Sequence, residues 1–266
     1  MKPLLRRWVA FALALATPGL ARADDIAIPF APPTDRALTY VIEQHRPVDG
    51  SVQRFTATRD LRFEPAGDGY ILSATLSAID SDAPASAAEP FAAALTPLIG
   101  VALRFRLDRG GRVVALDDMD AVWATVQAGL AQMLTNFAPD TPRHRAARSV
   151  QTLFAGLAPE GRLALLAGEF QPLLLFAGSA VADGTGRGVR TMAGSPLGRP
   201  VPVEGDLRVT AQSPDAIDLA ENLAGNGIAV TLHYHVSRST GLVETQRRTL
   251  AMGARILTET RRLTGR

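Results

Sequence analysis

Residues 231–248 read TLHYHVSRSTGLVETQRR, and the alternation in this stretch decides the fold. Successive side chains on a strand point to opposite faces. Leu232, Tyr234 and Val236 therefore share one side, and Thr231, His233, His235 and Ser237 share the other. The turn SRSTGL and the returning VETQRR make the stretch a hairpin. The apolar set belongs to a core, so the two histidines face water or a groove. Their rings project in parallel, as two metal ligands would, but a site needs a third ligand and a second shell. His45 and His144 lie far away in the chain. The pair reads as an exposed strand face, and no metal or cofactor is expected.

The same period of two continues on both sides. Further candidate strands are 207–212, 216–223, 228–236, 242–250 and 254–262. Near the N-terminus, RALTYVIEQH places Leu38, Tyr40 and Ile42 on one face. SVQRFTATRDLRFE follows the turn PVDG and sets Phe55, Ala57 and Arg59 opposite Arg54, Thr56 and Thr58. AGDGYILSATLSAI follows a Gly-Asp-Gly turn. After a Pro/Ala-rich connection with room for a short helix, VALRFRLDRGGRVVAL forms another hairpin. Its Leu103, Phe105 and Leu107 share one face, and Arg104 and Arg106 the other.

Between these strand zones the period changes. Met119, Val122, Trp123, Val126, Leu130, Met133, Leu134 and Phe137 recur at spacings of three and four, which predicts an amphipathic helix ended by Pro139. Asp117 or Asp118 can cap it. Thr141 and Pro142 predict an N-cap and first-turn proline for a second helix, reaching about Gly156. A third short helix starts at Pro159. The segment 182–206 reads as a loose Gly/Pro-rich connection. The expected fold class is α+β: an antiparallel, strongly curved sheet of two meanders with a helical insert packed on it. As a single domain, residues 24–266 divide into N-terminal strands at 35–116, the insert at 117–178 and C-terminal strands at 200–263.

Residues 1–23 have the layout of a secretory signal peptide. Lys2, Arg6 and Arg7 precede the apolar run Trp8–Ala16, and Ala21-Arg22-Ala23 offers a cleavage site. Val9 and Ala10 favour the general secretory route over the twin-arginine one. The run is shorter than the ~20 residues a membrane span needs. With no Cys in the chain, no lipoprotein anchor is expected. The chain is expected to be a soluble, exported, periplasmic bacterial protein. Removing Lys2, Arg6, Arg7 and Arg22 from the 28 basic residues leaves 24 against 26 acidic ones, a net charge of −2. The apparent basicity leaves with the signal, and with it the case for nucleic-acid binding.

Several chemistries are excluded. Without Cys there is no disulfide, thiolate nucleophile or Cys-bound metal. Lys2 is the sole lysine, so the processed chain has no Schiff-base or P-loop lysine. The Ser179 and Ser195 surroundings lack the G-x-S-x-G elbow of a serine hydrolase. DGTGRG, residues 183–188, reads as a loop rather than a phosphate cradle. RHRAAR, with Arg143, His144, Arg145 and Arg148, reads as a solvated helix face. No enzyme is expected.

The helices are more informative. From Ala121 to Pro139 there is no charged residue, and Leu163–Gly178 contains only Glu169. Such helices are covered on both sides, form a homodimer interface, or line an apolar site. For the last reading, the lining residues are Trp123, Val126, Leu130, Leu173, Leu174 and Phe176, and the partner is a lipid, acyl chain or lipoprotein. The alternative is an envelope assembly factor that uses the helices as a protein interface.

The strands RALTYVIEQH, RFTATRDLRFE, VALRFRLDRGGRVVAL and LHYHVSRSTGLVETQRR, interrupted by a helical insert, resemble the half-barrel envelope proteins of the LolA, LolB and RseB type. The resemblance is architectural and includes no diagnostic motif. It implies a curved sheet covered by helices that holds acyl chains, and it transfers no individual binding residue.

Overall fold

The structure, a computed structural model, describes residues 25–135, 137–183, 186–193 and 201–265. The predicted signal segment and the Ser195 loop lie outside the described residues.

The chain begins with β1 (Asp25–Ile28), β2 (Leu38–Val48), β3 (Ser51–Ala66) and β4 (Gly69–Ser81). Helix α1 (Ala85–Leu95) and a 3-10 turn (Thr96–Leu98) precede β5 (Ala102–Leu107) and β6 (Val113–Leu116). The helical insert holds α2 (Met119–Thr135), α3 (Pro142–Ala155), α4 (Pro159–Ala167) and α5 (Gln171–Leu174). Then come β7 (Ser179–Ala182), β8 (Arg187–Ala193), β9 (Val201–Gln212), β10 (Ala216–Gly225), β11 (Ile228–Ser237), β12 (Val243–Met252) and β13 (Arg255–Gly265).

Eleven strands form one antiparallel sheet in the order β6-β5-β4-β3-β2-β13-β12-β11-β10-β9-β8. Two meanders meet where β13 pairs with β2, with Leu38 opposite Gly265 and Ile42 opposite Arg261. The hairpin read from residues 231–248 is β11–β12, with Tyr234 opposite Gln246. β1 and β7 pair separately as a two-stranded sheet.

The alternation predicts burial well. Leu38, Tyr40 and Ile42 are buried, as are Phe55, Ala57, Leu61 and Phe63 on β3 and Leu103, Phe105 and Leu107 on β5. They pack against Ala167, Phe170, Leu173 and Leu174 of the insert. A second cluster joins Val203, Leu219, Leu232 and Val236 to Ile28, Val181 and Phe176. One half of the sheet is thus roofed by helices, the other by the β1–β7 pair.

The helix starts are equally readable. Thr141 caps α3, its hydroxyl accepting from the His144 backbone N–H at 3.1 Å, with Pro142 in the first turn. The Asp117 carboxylate accepts from Arg106 Nε at 2.6 Å. The segment read as loose contains β8 and the first half of β9, β7 ends where that segment begins, and β1 precedes the first predicted strand. β7 and β8 lack the alternation that buried strands show: only Val181 and Ala193 are buried in them.

One close approach fixes the N-terminal segment. Ala31 N–H donates to Thr240 O at 3.0 Å in the β11–β12 turn. There Gly241 has φ +73°, and a Cβ would strike the Pro29 carbonyl oxygen. Gly241→Ala is expected to cost about 1–3 kcal/mol, because the left-handed backbone and the clash act together. A thermal melt showing no loss would mean that the N-terminal segment does not hold this position.

Candidate functional site

The α2 spacing that marked the helix also shapes a cavity. Val126, Leu130 and Met133 face inward beside Gly129, where a Cβ would come within 2.5 Å of Pro97 Cγ in the 3-10 turn. The missing side chain lets that turn sit against the helix. Leu95 of α1, Val150 and Phe154 of α3, Leu165 and Leu166 of α4 and Leu103 of β5 complete a chamber of about 350 Å³. Arg59 and Glu169 border it and, among the described residues, are its only charged lining residues.

The same two residues border a second chamber of about 490 Å³ between α1, α4 and the sheet. Ile42, Phe55, Ala57, Phe91 and Ala164 line it, with Gln44 and Arg261 as polar members. Leu95 and Leu165 also belong to both chambers. The ion pair thus stands on the wall between two apolar spaces.

Arg59 donates from Nε and Nη2 to the two oxygens of Glu169. The Arg59 side chain is 3% exposed and that of Glu169 27%. The Arg261 guanidinium donates to the Glu169 carbonyl at 2.6 Å and to Glu259 at 2.7 Å. Gln44 Nε2 donates to the other Glu259 oxygen at 2.7 Å. Burial alone raises the Glu259 carboxyl, but Arg261, Gln44 and Arg248 outweigh it and hold the pKa below the usual carboxylate value. Burial likewise opposes the Arg261 charge, while Tyr40 and Glu259 hold its pKa above the usual arginine value. The Tyr40 hydroxyl is raised by burial despite Arg261 beside it.

A third space of about 590 Å³ lies over the other half of the sheet, between α5, β7 and β8. Phe176, Val203, Leu223 and Leu232 supply its apolar walls. Tyr234 Oη donates to Glu221 at 2.9 Å within it. Burial first, and Glu221 second, push the Tyr234 hydroxyl well up.

The six residues read from the sequence are distributed among these places. Val126 and Leu130 line the smaller helical chamber. Trp123 is buried behind its wall, stacked on Phe154 at 5.6 Å between ring centres, with Arg162 over its ring at 5.5 Å. Leu173 and Leu174 lie in the main core. Phe176 lines the 590 Å³ groove and meets Tyr234 edge-on. The residues that sequence reasoning missed are Arg59, Glu169, Gln44 and Arg261. A signal existed for Arg59, a charged residue alternating in phase with Phe55 and Ala57.

His233 and His235 are exposed on β11 while Leu232, Tyr234 and Val236 are buried. His235 Nδ1 lies 2.6 Å from Asp218 Oδ1. Among the described residues, no three His, Asp or Glu side chains are placed to hold a metal ion. In the basic patch, Arg145 and Arg148 are exposed and Arg145 donates to the Asp140 carbonyl at 2.5 Å. The Arg143 side chain lies outside the described residues. Among the described residues no helix is long and apolar enough to cross a membrane.

No family model matches the chain, and no curated protein matches it. Among solved structures, one described as "Lipid-protein interactions in lipovitellin" is similar at 7% identity with a TM-score of 0.37. The match covers 87% of this chain and 25% of that one, so this chain spans about a quarter of the lipovitellin length. That overlap is too low to assign a ligand.

Proposed function

We propose that this is an exported, non-enzymatic periplasmic protein that holds a hydrophobic ligand between sheet and helices. The ligand is an acyl chain, a lipid or a lipidated partner. In this reading the sheet curves strongly around the helices, as in a half-barrel. The observation that carries the proposal is the pair of adjoining chambers of about 350 and 490 Å³ with mainly apolar walls. Their size falls in the range of small-molecule sites, roughly 300–1,000 Å³. Each methylene buried there contributes about 0.8 kcal/mol, against the ordering cost of binding.

Native mass spectrometry tests this on protein recovered from periplasm without detergent. The expected result is an added mass that organic extraction removes. A bare monomer mass would count against a retained ligand.

A second reading rests on the outer side of α2. Ala124, Gln127, Ala128, Ala131, Gln132 and Thr135 are exposed there without one charge. An exposed helix usually carries charges on that side. In this reading the face is a protein interface of an envelope assembly factor, and the same spectrum would give a dimer without added mass.

A further inference from the structure

Between the helix-covered chambers and the 590 Å³ groove, the inner face of the sheet carries a band of polar side chains. Strand register explains it. Leu232 stands opposite Arg248, Arg248 opposite Glu259, Glu259 opposite Gln44, and Gln44 opposite Phe55. All five side chains therefore lie on one face. Arg46, two residues beyond Gln44 on β2, is on that face too. Of these, Gln44, Arg46, Arg248 and Glu259 border a pocket of about 170 Å³ on β2, β12 and β13, with Leu250 and Leu257 as apolar walls. The pocket shares Gln44 with the 490 Å³ chamber and Arg248 with the 590 Å³ groove.

The charges in this pocket do not balance internally. Its one carboxylate, Glu259, already accepts from Arg261 and Gln44. Arg46 lies over the Phe55 ring at 3.8 Å, and its Nε is buried without a hydrogen-bond partner. Burial lowers the Arg46 pKa, the sign of a cation short of an anion. Arg248 is half-buried, and among the described residues neither arginine is in an ion pair. Of the pocket's other members, His45 is turned to Glu43 at 3.8 Å, and Thr258 is uncharged. Unmade hydrogen bonds from buried charged donors are costly, and guanidinium forks match carboxylate and phosphate oxygens.

We infer that the ligand of the helical chambers is an anionic amphiphile whose carboxylate or phosphate head sits between Arg46 and Arg248. This rests on the proposed hydrophobic-ligand reading and adds the head group to it. The alkyl chain leaves the pocket past Gln44 and enters the space walled by Ile42, Phe55 and Phe91. The Arg59–Glu169 pair, being satisfied internally, borders the tail without competing for the head.

Calorimetric titration of the full chain with dodecanoate, dodecyl phosphate, dodecanol and inorganic phosphate tests this. At least one anionic dodecyl ligand is expected to bind about tenfold to a hundredfold tighter than dodecanol. In Arg46→Gln/Arg248→Gln that preference should disappear while dodecanol binding persists. The relative affinities of dodecanoate and dodecyl phosphate distinguish the two head groups. Equal affinity of wild type for dodecanol and both anions would overturn the inference and leave the hydrophobic-ligand reading intact. So would a preference that survives in the folded double variant. Binding of inorganic phosphate without any dodecyl ligand would overturn both, as would no binding at all. The wild-type comparison decides even where the double variant does not fold.

Discussion

Glu169→Leu is expected to destabilise the protein by about 3–5 kcal/mol, the usual cost of leaving a buried charge without its partner. Arg59 is the reason: its side chain is 3% exposed and gives both an Nε and an Nη2 hydrogen bond to the Glu169 carboxylate. The reverse change should cost less. In Arg59→Leu the surviving carboxylate, 27% exposed, can regain water from the chambers it borders. A loss of about 1–3 kcal/mol is expected there. Changing both residues to leucine should restore much of the stability, since a well-packed apolar pair can replace a buried ion pair at little net cost. Urea unfolding of the two single variants and the double measures all three values, with an unchanged slope showing that compactness is preserved. If Glu169→Leu cost under about 1 kcal/mol, Arg59 would have to be hydrated, and the adjoining chambers would be wet.

The asymmetry also locates what the sequence could not supply. Glu169 and Arg59 are 110 residues apart. Alternation put Arg59 on the face of Phe55 and Ala57, but only the return of the insert between β6 and β7 brings Glu169 over it. Arg261 is similar: its partners Tyr40 and Glu169 come from β2 and from the link between α4 and α5. Local periodicity carries no such information. It does carry the meanders, because β2, β3, β5 and β11 each bury one face and leave the other wetter. It carries α2 and α3 through three- and four-residue spacing and through the Thr141-Pro142 start. It fails at β8, an edge strand with only Ala193 buried, and at the front of β9, where Pro202 and Gly205 look like loop punctuation. Val126 and Leu130 lie on the α2 stripe and line a chamber. Leu173 and Leu174 were equally apolar, yet they fill the core, and composition alone does not separate a wall from an interior.

Leu130→Asp is expected to weaken retention of an alkyl ligand at least about a hundredfold, equivalent to roughly 2.7 kcal/mol. Leu130 lines the smaller helical chamber and is only half-buried, so the free variant can keep its new carboxylate hydrated and its fold intact. Ligand entry then has to strip water from that charge against walls formed by Val126, Met133 and Leu165, and burying an unpaired charge is far costlier than losing one apolar contact. Leu130→Ala separates these effects: it removes contact without adding charge and should weaken binding by about tenfold or less. Leu153→Asp is the matched control, because Leu153 is 49% exposed on α3. It puts the same charge on a neighbouring helix and should leave retention unchanged. Titration with dodecanoate and dodecanol, with circular dichroism to confirm folding, distinguishes the three variants. Equal binding by Leu130→Asp and Leu153→Asp would place the alkyl chain outside the smaller helical chamber. The chamber walled by Ile42, Phe55 and Phe91 and the groove lined by Phe176, Val203 and Leu232 would then be the spaces to test, because α2 contributes no wall to either.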